Sequence, residues 1–256
     1  MGSVSRPQRR AILTGGLVAS AAVITGCSSK TGGDSAGKAT AVGAPAAPSP
    51  AASAPPTTPR AAYARLLEGN ERWVNGSLQR PNQGIGRRQS VAEEQDPYSV
   101  IVSCIDSRVP PEMVFDTGLG DLFVIRTGGQ VVAPVVTGSV EYGPVTSGSP
   151  LILVLGHQRC GAVKAAYKAL KERKPLPGNL QSIVETLRPA YEAISKEKHA
   201  DPVDAMIRGH AQQTAADLRR SANLAPLVRK GDLAVVSAYY SLDTGKVEVL
   251  SGAPSA

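Results

Sequence analysis

At 256 residues, with 42% apolar and 19% charged residues, the chain is too apolar for wholesale disorder and long enough for one large or two small domains. Its 28 basic residues against 21 acidic ones give a formal charge of +7, which raises an anionic partner, yet aromatics at 4% are poor for stacking on bases. Three cysteines exclude a disulfide framework and leave one cysteine over.

Residues 1–26 carry Arg6, Arg9 and Arg10 and no acid, followed by an apolar run from Ala11 to Ile24. A spanning helix needs about 20 apolar residues, so this shorter run reads as an export signal. Gln8-Arg9-Arg10-Ala11-Ile12-Leu13 resembles a twin-arginine signal, and Ile24-Thr25-Gly26-Cys27 resembles a bacterial lipobox. Cys27 is then the expected lipidation site and mature N-terminus; the alternative is a plain signal with an accidental cysteine. Residues 27–60 are rich in Ala, Pro and Ser and too poor in large apolar groups to offset their ordering entropy, so they read as a disordered tether. The protein is expected to be exported and lipid-anchored, at the cell surface or on the periplasmic side of the bacterial cytoplasmic membrane. The remaining 61–256 suit one domain, which holds 22 basic and 20 acidic residues. At that near balance a nucleic-acid patch is no longer implied.

The domain alternates helices and strands. Thr58-Pro59 supplies a cap and a first-turn proline, and Tyr63, Leu66, Leu67, Asn70, Trp73 and Val74 follow at helical spacing up to Gly76. Residues 77–90 read as a polar extended arm. Ser99–Ser103, Asp121–Arg126 and Leu151–Leu155 are short apolar runs of the kind buried in parallel sheets. Val131–Val145 is a helix blemished by Pro134, Gly143 and Pro144. Gly161–Glu172, Leu180–Glu197 and Val203–Ser221 are further helices. Leu233–Tyr240 and Val247–Leu250 flank a hairpin-like turn at Asp243-Thr244-Gly245. The pattern predicts an α/β domain, a mainly parallel central sheet flanked by helices with an antiparallel C-terminal strand, and a ligand site at the carboxyl ends of the strands.

Chemistry-bearing residues fall at those ends. Cys104-Ile105-Asp106-Ser107-Arg108 follows the first strand and Gly156-His157-Gln158-Arg159-Cys160-Gly161 follows the third. Two soft thiolates and one imidazole form a recognised zinc set that leaves a fourth tetrahedral position open. The competing readings are a Cys104–Cys160 disulfide with His157 as an ordinary loop histidine, and an ordinary surface ion pair for Asp106 and Arg108.

Cys104-x-Asp106-x-Arg108 followed by His157-x-x-Cys160, with Val109-Pro110-Pro111 and Gly120-Asp121-Leu122-Phe123-Val124 between, resembles a β-class carbonic anhydrase of the plant-type branch, over roughly residues 60–250. The resemblance implies one Zn2+ per subunit on Cys104, His157 and Cys160. It implies reversible hydration of carbon dioxide to bicarbonate and a proton, with zinc-bound hydroxide as nucleophile. It implies that Asp106 orients that nucleophile, that Arg108 holds Asp106, and that Asp106 becomes a fourth ligand only in a closed form. It also implies a homodimer or a dimer of dimers with the site at the subunit interface. Gln95 matches a glutamine that contacts substrate from the neighbouring subunit, and Phe123 and Tyr142 match an apolar wall. Gly161 sits where a backbone N–H could meet the substrate and a side chain would intrude.

The chain departs from the family pattern in places. Arg126-Thr127-Gly128-Gly129-Gln130 stands where Arg-Asn-x-x-Asn is common, Gly143-Pro144 breaks a segment normally helical, and the bulky Gln158-Arg159 separates two ligands. Neither His199 nor His210 has a position that argues a proton shuttle. Two other functions are carried: hydrolysis of a related linear molecule such as carbon disulfide or carbonyl sulfide, and zinc binding by a surface lipoprotein without catalysis.

Overall fold

Strands β1 (Ser99–Cys104) and β3 (Leu151–His157) are buried along their whole length, as their unbroken apolar sequences require of strands covered on both faces. They pair in parallel at the centre of a five-stranded sheet of order β2-β1-β3-β4-β5. β2 (Leu122–Thr127) pairs parallel to β1, β4 (Ala234–Tyr240) pairs parallel to β3, and β5 (Val247–Ser251) closes the sheet antiparallel to β4. The architecture is the α/β one the sequence pattern predicts. This computed structural model describes residues 54–255, so the expected signal over 1–26, the lipidation site Cys27 and most of the tether lie outside the described residues.

Alternation along the central strands divides the core between the two faces. Ile101, Leu151, Leu153, Leu155, Val236 and Ala238 face helix α1 (Pro59–Val74) and the short helix α3 (Pro111–Val114). Val100, Val102, Ile152, Val154 and Val235 face helix α4 (Pro134–Ser147) and helix α7 (Pro202–Arg220). A third cluster lies beyond the strand ends. There helices α5 (Gly161–Glu172), α6 (Leu180–Ile194) and α7 pack Val163, Val184, Leu187, Met206 and Ile207 around Cys104 and Cys160.

Several boundaries differ from the sequence expectation for physical reasons. Helix α1 starts at Pro59, capped by the Thr58 hydroxyl, which accepts from the Ala61 N–H at 3.3 Å; Pro59 and Arg60 thus belong to the helix rather than the tether. The arm over 77–90 is extended only at first, and Ile85–Ser90 form helix α2. The arm is pinned by buried Asp116, which accepts from the Gln79 and Arg80 N–H groups and from Arg72. Pro134 opens α4 instead of blemishing it, because a first-turn proline lacks only an N–H that has no helical partner. Gly143-Pro144 does not break the helix, which runs on to Ser147. Gly143 packs so closely that a Cβ there would lie 2.4 Å from Val100 Cγ2. Residues 195–197 lie beyond the end of α6, and helix α8 (Ala225–Lys230) was not anticipated.

His210 on α7 is buried, which pushes its imidazole down to about 4 from 6.5 against the opposing pull of the Gln130 and Gly129 carbonyls. The unfolded chain therefore binds this proton more readily. The stability tied to neutral His210 is complete above pH 6.5 and is lost as the pH falls toward 4. Denaturant titrations across that window should show a flatter pH dependence for His210→Gln than for the parent. An unchanged slope would show that His210 is not the group responsible.

Candidate metal centre

The parallel register aligns Ser103 of β1 with Leu155 of β3. Cys104 and His157 therefore end up at the same edge of the sheet, one contributed by each strand end. Cys160 follows as the N-cap of α5. The ligating atoms of Cys104, His157 and Cys160 all lie within 4.8 Å of one another, and all three side chains are buried; among the described residues no other group of three or more is arranged to hold a metal. The two sulfurs are 3.8 Å apart and neither cysteine is in a disulfide. Two thiolates on one tetrahedral zinc, each about 2.3 Å from it, stand about 3.8 Å apart. The separation suits a shared cation and rules out the bonded pair considered as an alternative.

The histidine is prepared for the same task. Its Nδ1 lies 3.0 Å from the Gln158 carbonyl, which can only accept, so Nδ1 carries the proton and Nε2 presents a bare lone pair. Nε2 is buried without a hydrogen-bond partner. An orphaned acceptor between two thiols is costly unless a cation meets it. The thiols are coupled. Cys104 is lowered chiefly by its hydrogen bond with Cys160, against burial and with help from the Gly129 N–H at 3.3 Å from its sulfur. Cys160 is raised, first by that same bond and then by burial, against the first-turn N–H groups of Val163 and Ala162. The two thiols thus shift in opposite directions, and a divalent cation would favour release of both protons. The donor set fits zinc.

Asp106 lies beside the centre, with Oδ2 3.9 Å from His157 Nε2. Arg108 holds it bidentately, Nε to Oδ1 at 2.8 Å and Nη2 to Oδ2 at 2.7 Å, and the Arg108 backbone N–H adds a 3.0 Å bond to Oδ1. These bonds keep the Asp106 carboxyl well below its ordinary range, chiefly through the Arg108 side chain. The loop that carries it is anchored by Arg126 of β2. Arg126 donates from Nε to the Cys104 carbonyl at 2.8 Å and from Nη2 to the Asp106 carbonyl at 2.6 Å. The sequence marks Arg126 only as part of a departure from the family pattern. Neither its role nor that of the Gly129 N–H carries a local signal, because both depend on β2 lying beside β1.

Of the remaining sequence candidates, Gly161 adjoins Cys160 at the start of α5, whereas Phe123 and Tyr142 are not brought to the cluster within one chain. Phe123 pairs with Val100 while Cys104 pairs with Thr127, so Phe123 sits four residues back along the sheet, or about 13 Å. It packs edge-on against Tyr142 with ring centroids 5.8 Å apart, beside a shallow cavity of about 450 Å³ on the β2–α4 face. Gln95 is exposed, in the loop before β1. A Cβ at Gly161 would meet none of the chain's own atoms within 4 Å, so the space in front of its backbone N–H is open.

The sequence profile of the carbonic anhydrase family matches residues 99–247. The chain is 41% identical over 193 residues to carbonic anhydrase 2 of Mycobacterium tuberculosis, covering 75% of this chain and 93% of that one. It is 41% identical over 198 residues to a carbonic anhydrase of Mycolicibacterium smegmatis, covering 77% and 96%. Among solved structures, a tetrameric β-carbonic anhydrase of the ascomycete Sordaria macrospora superposes with a TM-score of 0.60 at 18% identity, covering 75% of this chain and 98% of that one. The chain belongs to the β-class carbonic anhydrase family.

Arg126→Met should remove two charge-assisted bonds from the ligand loop and destabilise the fold by about 2 kcal/mol, measured by denaturant unfolding. Stability equal to the parent would mean that the loop holds itself.

Proposed function

We propose that the chain binds one Zn2+ through Cys104, His157 and Cys160 and hydrates carbon dioxide reversibly to bicarbonate and a proton. The observation that carries this reading is a buried Cys2His set beside a carboxylate locked by a bidentate arginine. When bound, zinc supplies Lewis acidity that makes a nucleophile of water near neutral pH. Asp106 stays ionised because Arg108 occupies it, so it serves as a fixed acceptor that orients an O–H donor rather than as a base. Arg108 also restrains Asp106 from turning into the open position beside His157. Entry into a closed arrangement requires breaking both side-chain bonds of the pair.

The functional unit in this reading is a homodimer, or a dimer of dimers. β2 is an edge strand with half-buried residues throughout, flanked by exposed Tyr142 and Val135 at 54% and 79%. An uncovered apolar edge of this kind favours pairing with another strand. Antiparallel pairing of two β2 edges would set Phe123 of one subunit near Thr127 of the other. That would deliver the Phe123–Tyr142 wall to the partner's centre, and Gln95 could reach it in the same way. Export and lipid anchoring at Cys27 complete the proposal, supported by the order of charge, apolar run and cysteine in residues 1–27.

Stopped-flow carbon dioxide hydration by the full chain should exceed that of Cys160→Ser, its metal-free control. Equal rates would overturn the activity. Asp106→Ala should retain zinc and lose activity on the order of 100-fold; loss of zinc would reassign Asp106 as a ligand. Cys27→Ser should move the protein from the membrane fraction of the expressing cells to the soluble fraction. A variant that stays membrane-bound would remove Cys27 as the anchor.

A further inference from the structure

The two residues between His157 and Cys160 are tied to one carboxylate outside the ligand set. Asp243 lies in the turn between β4 and β5. Its Oδ2 accepts from Gln158 Nε2 at 2.9 Å and from Arg159 Nη1 at 3.1 Å, and its Oδ1 accepts from Arg159 Nη2 at 2.6 Å. The Asp243 N–H donates back to Gln158 Oε1 at 3.2 Å. The turn itself is fixed to helix α1. Asn70 Nδ2 donates to the Gly245 carbonyl at 2.9 Å, and Asn70 Oδ1 accepts from the Val247 N–H at 2.9 Å.

What this anchor holds is the backbone that aims the ligands. The Gln158 carbonyl is the group that orients the His157 ring. Arg159 adopts φ +54°, a left-handed conformation that is uncommon outside glycine. That kink delivers Cys160 to the start of α5, and the Arg159 carbonyl accepts from Arg108 Nη2 at 3.4 Å. An isolated exposed ion pair would matter little. Three donors converging on one carboxylate, with a strained residue between two ligands, form a different arrangement.

We propose that Asp243 is a positioning residue for the metal centre: its grip on Gln158 and Arg159 fixes the loop geometry that presents His157 and Cys160. The inference rests on the zinc reading above. It also accounts for the bulky pair between the ligands, whose side chains are drawn to the β4–β5 turn.

The test is Asp243→Asn in the full chain, read by zinc competition against a chromophoric chelator and by the visible spectrum of the cobalt-substituted protein. Asparagine keeps the volume, loses the charge and, in its better orientation, still turns an N–H donor toward Arg159 Nη2. Zinc affinity should fall about ten-fold, with shifted cobalt bands. Glycine adopts positive φ without strain, so on an Arg159→Gly background the same substitution should cost less than about two-fold. Thr244→Ala, in the same turn, should bind zinc as the parent does. The inference is overturned if Asp243→Asn binds zinc as tightly as the parent, if its loss is undiminished beside Arg159→Gly, or if Thr244→Ala loses as much. A parent chain that binds neither zinc nor cobalt sinks the zinc reading first and this inference with it.

Discussion

The site depends on the parallel pairing of β1 with β3. Neither Cys104 nor His157 has a ligand partner close in sequence except Cys160. The pairing of Ser103 with Leu155 sets the ends of the two strands side by side. Because both strands are buried throughout, that register is strongly specified: a slip of one residue would exchange the residues facing α1 with those facing α4 and α7. The apolar core therefore fixes the distance between the sulfurs and the imidazole, and it was laid down by residues that never touch a metal.

Around that frame, polar groups are arranged in successive layers. The Gly129 N–H and the Gln158 carbonyl touch the ligands themselves. Arg108 fixes Asp106, and Arg126 fixes the backbone that carries Asp106. Most of these bonds satisfy charged or backbone groups that would be expensive to leave unpaired away from water. His157 Nε2 is one of several buried polar atoms without a partner among the described residues, together with Ser103 Oγ and both amide atoms of Gln130. What sets His157 apart is that its ring nitrogen lies within 4.8 Å of the Cys104 and Cys160 sulfurs, where one cation could meet all three.

The family profile and the relatives at 41% identity agree with the chemistry of the donor set. The departures from the family pattern acquire local meaning. Gly128-Gly129 allows the main chain to approach the Cys104 sulfur, with Gly129 at φ +71°. Gln158-Arg159 is bound to Asp243 on another element. Gly143 lets α4 lie against Val100, so the helix survives its proline.

The sequence by itself determined the strand cores, the helices with strong periodicity and the two cysteines and one histidine that the structure gathers into a cluster. Continuous apolar runs such as Leu151–Leu155 are strand signals, and Cys, His and Asp at strand ends keep their chemistry whatever surrounds them. Helix α2 and the integrity of α4 were not legible, because Ile85–Ser90 has a polar sequence and Gly143-Pro144 is locally a breaker; packing overrode the propensity at α4, where Val140, Gly143 and Pro144 are buried, whereas no residue of α2 is buried. Only the tertiary structure decided that Phe123 lies away from Cys104 within its own chain, that Arg126 clamps the Asp106 loop, and that Asp243 reaches Arg159 and Gln158 across 84 and 85 positions of sequence. Residue type carries donor chemistry locally, whereas the partner of a long polar side chain is set by which strands become neighbours, and that is a property of the whole sheet.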